Sequence, residues 1–188
     1  MRSFRLKTAP ATEPVTVADV KLHARVAHAV EDALITTWIA AARKLAEEYQ
    51  HRAYIQQTWW LVFDSFPPSC FDLPRPPLIS VDSVKYYDED GVEATLSASL
   101  YTVDTISEVG RLSLNAGESW PSVTLRPING VIVEFKAGYG AAAADVPASV
   151  KNAIYLYCTW MYENREAETG TVPQAFFDLL KPDRMAVY

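Results

Sequence analysis

Apolar positions along the chain follow two periods, and the change from one to the other and back divides it into three parts. From Leu34 the apolar residues fall at Leu34, Ile35, Trp38, Ile39, Ala42, Leu45, Ala46 and Tyr49. Steps of three and four trace one stripe and predict a helix from about Glu31 to His51, with Glu31 and Asp32 placed where the helix dipole favours negative charge. Ahead of it, Thr16-Val17-Ala18-Asp19 reads as a capping box opening a short helix over roughly 17–27. Residues 1–15, with Pro10 and Pro14, read as an extended arm.

From Tyr54 the period falls to two. Thr58-Trp59-Trp60-Leu61-Val62-Phe63 is a strand in β-branched and aromatic residues, closed by the segment Asp64 to Pro68. Further strands are expected at 71–73, 79–87, 92–96, 101–104, 111–114 and 130–137, with Asp88-Glu89-Asp90-Gly91 as a hairpin turn. Helical spacing returns after Asp145-Val146-Pro147, since proline is tolerated where no amide donor is needed. Val150, Ala153, Ile154, Tyr157, Cys158 and Met161 form one stripe there, and Leu156 and Trp160 a second strip. A short amphipathic segment, Pro173 to Leu180, follows Gly170.

This order predicts an α+β fold: a helical bundle of N- and C-terminal helices carrying an inserted small antiparallel β domain. The expected parts are 1–53 (arm and first helices), 54–140 (β insert) and 141–188 (last helices and tail), the first and third forming one compact unit because neither helix pair alone buries its stripes.

Composition narrows the function classes. The 188 residues are 49% apolar types with a net charge of −6, too apolar and too weakly charged for a disordered chain. No apolar run reaches the ~18 residues that a membrane-spanning helix needs. The N-terminal Met1-Arg2-Ser3-Phe4-Arg5 has no apolar core behind it and does not read as a secretion signal. With 17 Lys and Arg against 23 Asp and Glu, no basic face for gripping nucleic acid is expected.

Reactive chemistry finds no constellation. Cys70 and Cys158 stand apart and outside any C-x-x-C pair, and His23, His28 and His51 lack companions at metal-ligand spacing. Asp88-Glu89-Asp90-Gly91-Val92-Glu93 opens like a calcium loop, but Ser99 stands where the closing glutamate belongs. Gly138-Tyr139-Gly140 precedes a helix that Pro147 delays, which does not fit a dinucleotide fingerprint. No catalytic, cofactor or metal residue is therefore expected. What is left is a surplus of aromatic residues, 5 Trp, 10 Tyr and 7 Phe, many in strands and loops, as in protein–protein surfaces.

An ordered series of short segments resembles head–tail connector (adaptor) proteins of long-tailed bacteriophages and gene transfer agents. It runs from Pro14-Val15-Thr16-Val17-Ala18-Asp19-Val20-Lys21 and Asp32-Ala33-Leu34-Ile35 through Leu73-Pro74-Arg75-Pro76-Pro77-Leu78 and Tyr86-Tyr87-Asp88. It continues with Gly110-Arg111-Leu112, Ser119-Trp120-Pro121, Gly138-Tyr139-Gly140 and Trp160-Met161-Tyr162-Glu163-Asn164-Arg165-Glu166. The resemblance implies a virion structural protein at the head–tail junction, assembled in the host cytoplasm and devoid of catalysis. It implies a homo-oligomeric ring, commonly twelve-fold, stacked under the portal protein, joining capsid to tail and letting DNA pass without specific binding. A tail-completion or tail-terminator-like ring that does not touch the portal is the alternative.

The expected portal-docking residues are Phe176, Phe177, Leu179 and Leu180 with the tail residues Met185 and Tyr188, unless Phe176 and Leu180 instead cover the helical core. Lateral contacts between subunits are expected from Trp38, Leu156 and Trp160, or from Trp59 and Trp120 of the β insert. Such contacts must be heterologous, because each subunit of a ring meets its two neighbours through different patches.

Overall fold

The computed structural model describes residues 1–164 and 171–185, so the expectation placed on Tyr188 lies outside the described residues. In chain order the elements are β1 (Arg2–Thr8), α1 (Val17–Ala24), α2 (Asp32–Gln50), β2 (Gln57–Phe63), β3 (Cys70–Asp72), β4 (Leu78–Tyr87) and β5 (Glu93–Thr95). They continue with β6 (Tyr101–Asp104), β7 (Arg111–Leu114), β8 (Val131–Ala137), α3 (Ala148–Glu163) and α4 (Gln174–Leu180). The fold class is α+β. The chain divides into two compact units, one of Met1–Pro10 and Gln56–Tyr139, the other of Ala11–Ile55 and Gly140–Tyr188.

In the β unit, a five-stranded sheet runs β1-β2-β8-β4-β5 and a three-stranded sheet runs β3-β7-β6. All the strand pairs are antiparallel. Strand β8 is central, and period-two alternation sets its inward face: Val131, Val133, Phe135 and Ala137 are fully buried. Register places Leu61 opposite Val133 and Trp59 opposite Phe135, extending that apolar face across β2. Leu112 of β7 and Phe71 of β3 carry the apolar side of the smaller sheet, with Phe71 edge-on to Phe63 at 5.3 Å. Gly110 is needed where the two sheets approach, because a Cβ there would overlap the Leu78 side chain.

The opposite face of the five-stranded sheet is polar and laced by ion pairs. Lys7 bonds Glu134 at 2.6 Å, Lys136 pairs with Asp82 at 3.0 Å and Lys85 with Glu93 at 2.6 Å. Trp60 adds its indole N–H to Glu134 at 2.8 Å. Burial would raise the Glu134 carboxyl, but the bonds from Lys7 and Trp60 outweigh it and hold the group below the ordinary range.

The sequence expectation for the first fifteen residues is corrected here. Residues 2–8 are a strand, not a free arm, and they belong with the β unit rather than with the helices. Phe4 lies opposite Leu61 and Leu6 opposite Trp59, an alternation too short to announce itself without its partner β2. Cys70, just ahead of the strand expected at 71–73, starts β3.

In the helical unit, the Thr16 hydroxyl accepts the Asp19 amide at 3.2 Å and the Asp19 carboxylate accepts the Thr16 amide at 3.1 Å, a closed capping box. The Thr16 hydroxyl also donates to the Asp19 carboxylate, at 2.6 Å, and this bond and the one from the Thr16 amide hold that carboxyl below its ordinary value. Helix α1 stops at Ala24, short of the expected 27, because Arg25 turns left-handed with φ of 56°. The α2 stripe buries Ile35, Trp38, Ile39, Ala42 and Ala46, while its expected first member, Leu34, is exposed. From α3, Val150, Ala153, Ile154 and Cys158 complete the core. The Gly138-Tyr139-Gly140 stretch has a steric role: Asp145 accepts the Ala142 amide at 3.0 Å, and a Cβ on Gly140 would collide with that carboxylate.

Truncating Phe135 to alanine would open a cavity beneath β8 and cost about 3–5 kcal/mol, read as a lower midpoint in urea unfolding. Burial pushes the Cys158 thiol up to about 12, whereas Cys70 is exposed. A thiol reagent at neutral pH therefore labels one cysteine of the folded chain, Cys70, by peptide mass, and Cys158 only after denaturation.

Candidate assembly surfaces

With no reactive cluster expected, the functional surfaces are those that could meet other chains. The C-terminal segment is built from α2 outward. Gln50, on the last turn of α2, is fully buried. Its amide donates to the Leu180 carbonyl at 2.5 Å, its side-chain oxygen accepts the Tyr54 hydroxyl at 2.6 Å, and its backbone carbonyl accepts the Met185 amide at 3.1 Å. Arg52 donates to the Asp183 carbonyl at 2.7 Å and to the Met185 sulfur at 3.0 Å. Arg184 donates to the Tyr49 carbonyl at 3.1 Å and lies over the Tyr49 ring at 4.6 Å. Residues 180–185 are thus held by one helix end rather than left trailing.

One turn earlier, buried Glu47 accepts Arg43 at 2.8 Å and the Tyr54 amide at 2.9 Å, and Arg43 also reaches Glu13 at 2.7 Å. Burial would lower the Arg43 guanidinium, but the two carboxylates more than offset it and raise the group.

The proposed docking residues separate into two groups. Phe176 and Leu180 are fully buried in the helical unit, so their side chains cover the core, as the alternative reading of the sequence had it. Phe177 and Leu179 are half-buried. Aromatic contacts join several candidates in one row: Trp160 to Tyr157 at 6.1 Å, Tyr157 to Phe176 at 5.7 Å, Phe176 to Phe177 at 5.1 Å and Phe177 to Tyr49 at 5.0 Å. Leu156 and Trp160 remain half-buried on α3.

The other lateral candidates are less available. Trp38 is buried, edge-on to Tyr162 at 6.4 Å. Trp59 is only 9% exposed and packs on Phe4 at 5.8 Å, while Trp120 stacks on Phe66 at 5.4 Å. The indole N–H groups of Trp59 and Trp120 are buried without a hydrogen-bond partner among the described residues.

Sequence reasoning passed over several exposed apolar side chains: Phe4 and Leu6 on β1, Leu22 and Val30 around the α1–α2 turn, and Ile106 in the β6–β7 hairpin. Ile106 is 97% exposed on a firmly built loop. Asp104 accepts the Ser107 hydroxyl at 2.6 Å, the Ile106 and Ser107 amides at 3.0 Å and Arg111 at 2.7 Å, and these bonds hold its carboxyl far below the ordinary range. Phe4 and Leu6 alternate with Arg5 and Lys7, but two apolar residues are too short a run to mark a strand without β2, and a lone Ile between Thr105 and Ser107 carries no signal.

Among the described residues, no group of three His, Cys, Asp or Glu side chains could hold a metal ion, and no helix is long and apolar enough to cross a membrane. An open groove of about 620 Å³ is lined by Phe63, Phe66, Pro68, Phe71, Arg2 and Arg111.

No known family profile and no curated protein matches the sequence. The fold does find counterparts among solved assemblies. A chain in the neck of an empty gene transfer agent (GTA) particle, computed with C6 symmetry, superposes with a TM-score of 0.83 over 99% of this chain and 97% of that one, at 22% identity. A chain of the virion of the native GTA particle gives 0.82 over 98% and 96%, also at 22% identity. One from the neck of the native particle, computed with C12 symmetry, gives 0.77 over 98% and 97% at 22%. The chain therefore has the fold of components of GTA particles, across its full length.

Replacing Gln50 by leucine would take the side-chain donor from the buried Leu180 carbonyl and one acceptor from the Tyr54 hydroxyl. The expected cost is about 1–3 kcal/mol, and hydrogen exchange at the Met185 amide should accelerate more than at the amides of β8.

Proposed function

We propose that this chain is a neck-type structural protein of a phage-like particle, a head–tail adaptor that works by ring formation and stacking and performs no catalysis. The full-length likeness of fold to GTA neck chains supports this reading most, since the match covers both units and leaves almost nothing of either chain unaccounted for. The rings would sit beneath the portal, extend the channel for DNA and offer a platform to the next connector or tail protein. The net charge of −6 suits a channel that must not hold the duplex it passes.

Portal docking falls to the outer side of the C-terminal segment. Phe176 and Leu180 anchor α4 from within, leaving half-buried Phe177 and Leu179, with Met185 and the residues after it, for a neighbouring ring. The Gln50 and Arg52 bonds to residues 180–185 fix the position of that segment, which lowers the entropy lost on docking.

Co-sedimentation with the cognate portal tests this directly. The wild-type protein should co-sediment as a stacked ring. Leu179→Asp combined with removal of residues 186–188 should lower portal binding by about tenfold or more without changing the thermal midpoint by more than a few degrees. A ring that forms but never binds portal would favour the tail-completion alternative.

A further inference from the structure

The five-stranded sheet ends in two unlike free edges. At one end β1 pairs only with β2, and all seven of its residues are exposed. At the other, β5 pairs only with β4. An open strand edge is a template for another chain, and proteins that do not use such an edge usually cover or shorten it. Here β1 is long and uncovered.

The two edges differ in charge. Residues 1–10 contain Arg2, Arg5 and Lys7 and no carboxylate, whereas the β4–β5 turn and β5 present Asp88, Glu89, Asp90 and Glu93. Register places Arg5, Lys7 and Glu93 on one face, while Arg2 lies on the reverse face with Phe4 and Leu6. Arg5 lies opposite Trp60, Trp60 opposite Glu134, and Lys7 bonds Glu134. Lys85 and Tyr87 share that face, and Glu93, opposite Tyr87, bonds both at 2.6 Å. Arg5 spans only the Trp60 ring, at 4.7 Å, and Glu89 and Asp90 stand exposed.

The reverse face matches in a second way. Phe4 and Leu6 remain 45% and 42% exposed beside Trp59, whose buried indole N–H has no acceptor among the described residues. On the far edge Val92, exposed, and Ala94 alternate with Glu93. A β5 edge laid antiparallel on β1, with Thr95 opposite Ser3, would set Glu93 opposite Arg5, Ala94 and Val92 opposite Phe4 and Leu6, and the Glu89-Asp90 turn toward Lys7.

We infer that the β1 edge of one copy pairs with the β5 edge of the next, so that the ring is closed by a sheet running from subunit to subunit. This rests on the ring reading above and adds to it the surface that builds the ring. Charge decides against the symmetric arrangements. Joining β1 to β1 would set Arg2, Arg5 and Lys7 against themselves, and β5 to β5 would oppose carboxylates, each destabilising across paired strands. The β1–β5 contact is heterologous, the kind that generates a ring when its rotation closes. Because β5 has three residues and can exchange few backbone bonds, side-chain complementarity carries the selectivity.

Two experiments on the full-length protein test the pairing. In the first, native mass spectrometry over a concentration series measures ring formation by the wild type, Arg5→Glu, Arg5→Gln, Glu89→Lys/Asp90→Lys and the combined charge swap. Arg5→Glu should weaken association about tenfold, with Arg5→Gln between it and wild type, and the combined swap should recover most of the loss. In the second, in a Cys70→Ser background, a short bis-maleimide should link Ser3→Cys/Thr95→Cys chains into a ladder ending at the ring. Ser3→Cys alone should give no dimer. Rings indifferent to every charge variant and lacking the cross-link would overturn the edge pairing and leave the neck reading standing. Dimers from Ser3→Cys alone would overturn it in favour of a symmetric contact. Failure of the wild type to form any ring, with or without portal, would overturn both.

Discussion

A buried polar side chain must find partners, and in the helical unit that requirement is concentrated on Gln50. Its amide, its side-chain oxygen and its own backbone carbonyl each hold a different part of the chain: the end of α4, Tyr54 and Met185. Leaving any of these groups unpaired inside would cost more than the bond gains in water, so the arrangement is close to all-or-none. Glu47 repeats the device one turn away, with Arg43 and the Tyr54 amide as its partners. The last turn of α2 is therefore a fixed point. The short helix α4, only seven residues long and too short to be stable alone, takes its position from it.

This fixed point connects stability to the proposed role. A docking segment that is free in solution loses conformational entropy on binding, while one already held in place loses less. The buried pair Phe176 and Leu180 and the bonds from Arg52 and Arg184 hold the segment, so the aromatic residues facing outward need not be the ones that anchor it. The same division between anchor and contact holds in the β unit. Trp59 is buried and supports Phe4, and it is Phe4 that meets solvent.

The β unit answers a different constraint. Its central strand is buried on the inward face and its outward face is closed by lysine–carboxylate pairs, which leaves the edges as the unsatisfied part of the sheet. Exposed ion pairs of this kind add little stability singly. Their larger effect is to neutralise the face, so that unbalanced charge collects at the two ends, positive along β1 and negative at the β4–β5 turn. A head-to-tail order follows from that polarity more readily than from buried area.

Much of the fold was legible beforehand. The stripes from Ile35 to Ala46 and from Val150 to Cys158, the capping box at Thr16, and the alternation at Thr58–Phe63 and Gly130–Ala137 are local patterns, and local patterns fix helix and strand. The docking and lateral candidates were less legible, because exposure is not a local property. Trp38, Trp59, Phe176 and Leu180 have the composition of an interface and the burial of a core, and only the packing of distant segments distinguishes the two. Likewise nothing near Gln50 in the sequence announces its partners at Leu180 and Met185. The sequence by itself determined the α+β class, the helix–strand–helix order and the acidic balance, because each is a sum over neighbours along the chain. Tertiary structure alone decided that residues 2–8 are a sheet edge, that residues 180–185 are held by the end of α2, and that charge is split between opposite edges. Each of those depends on which residues meet across long stretches of sequence, 130 positions in the case of Gln50 and Leu180, and the spacing of side chains carries no record of that.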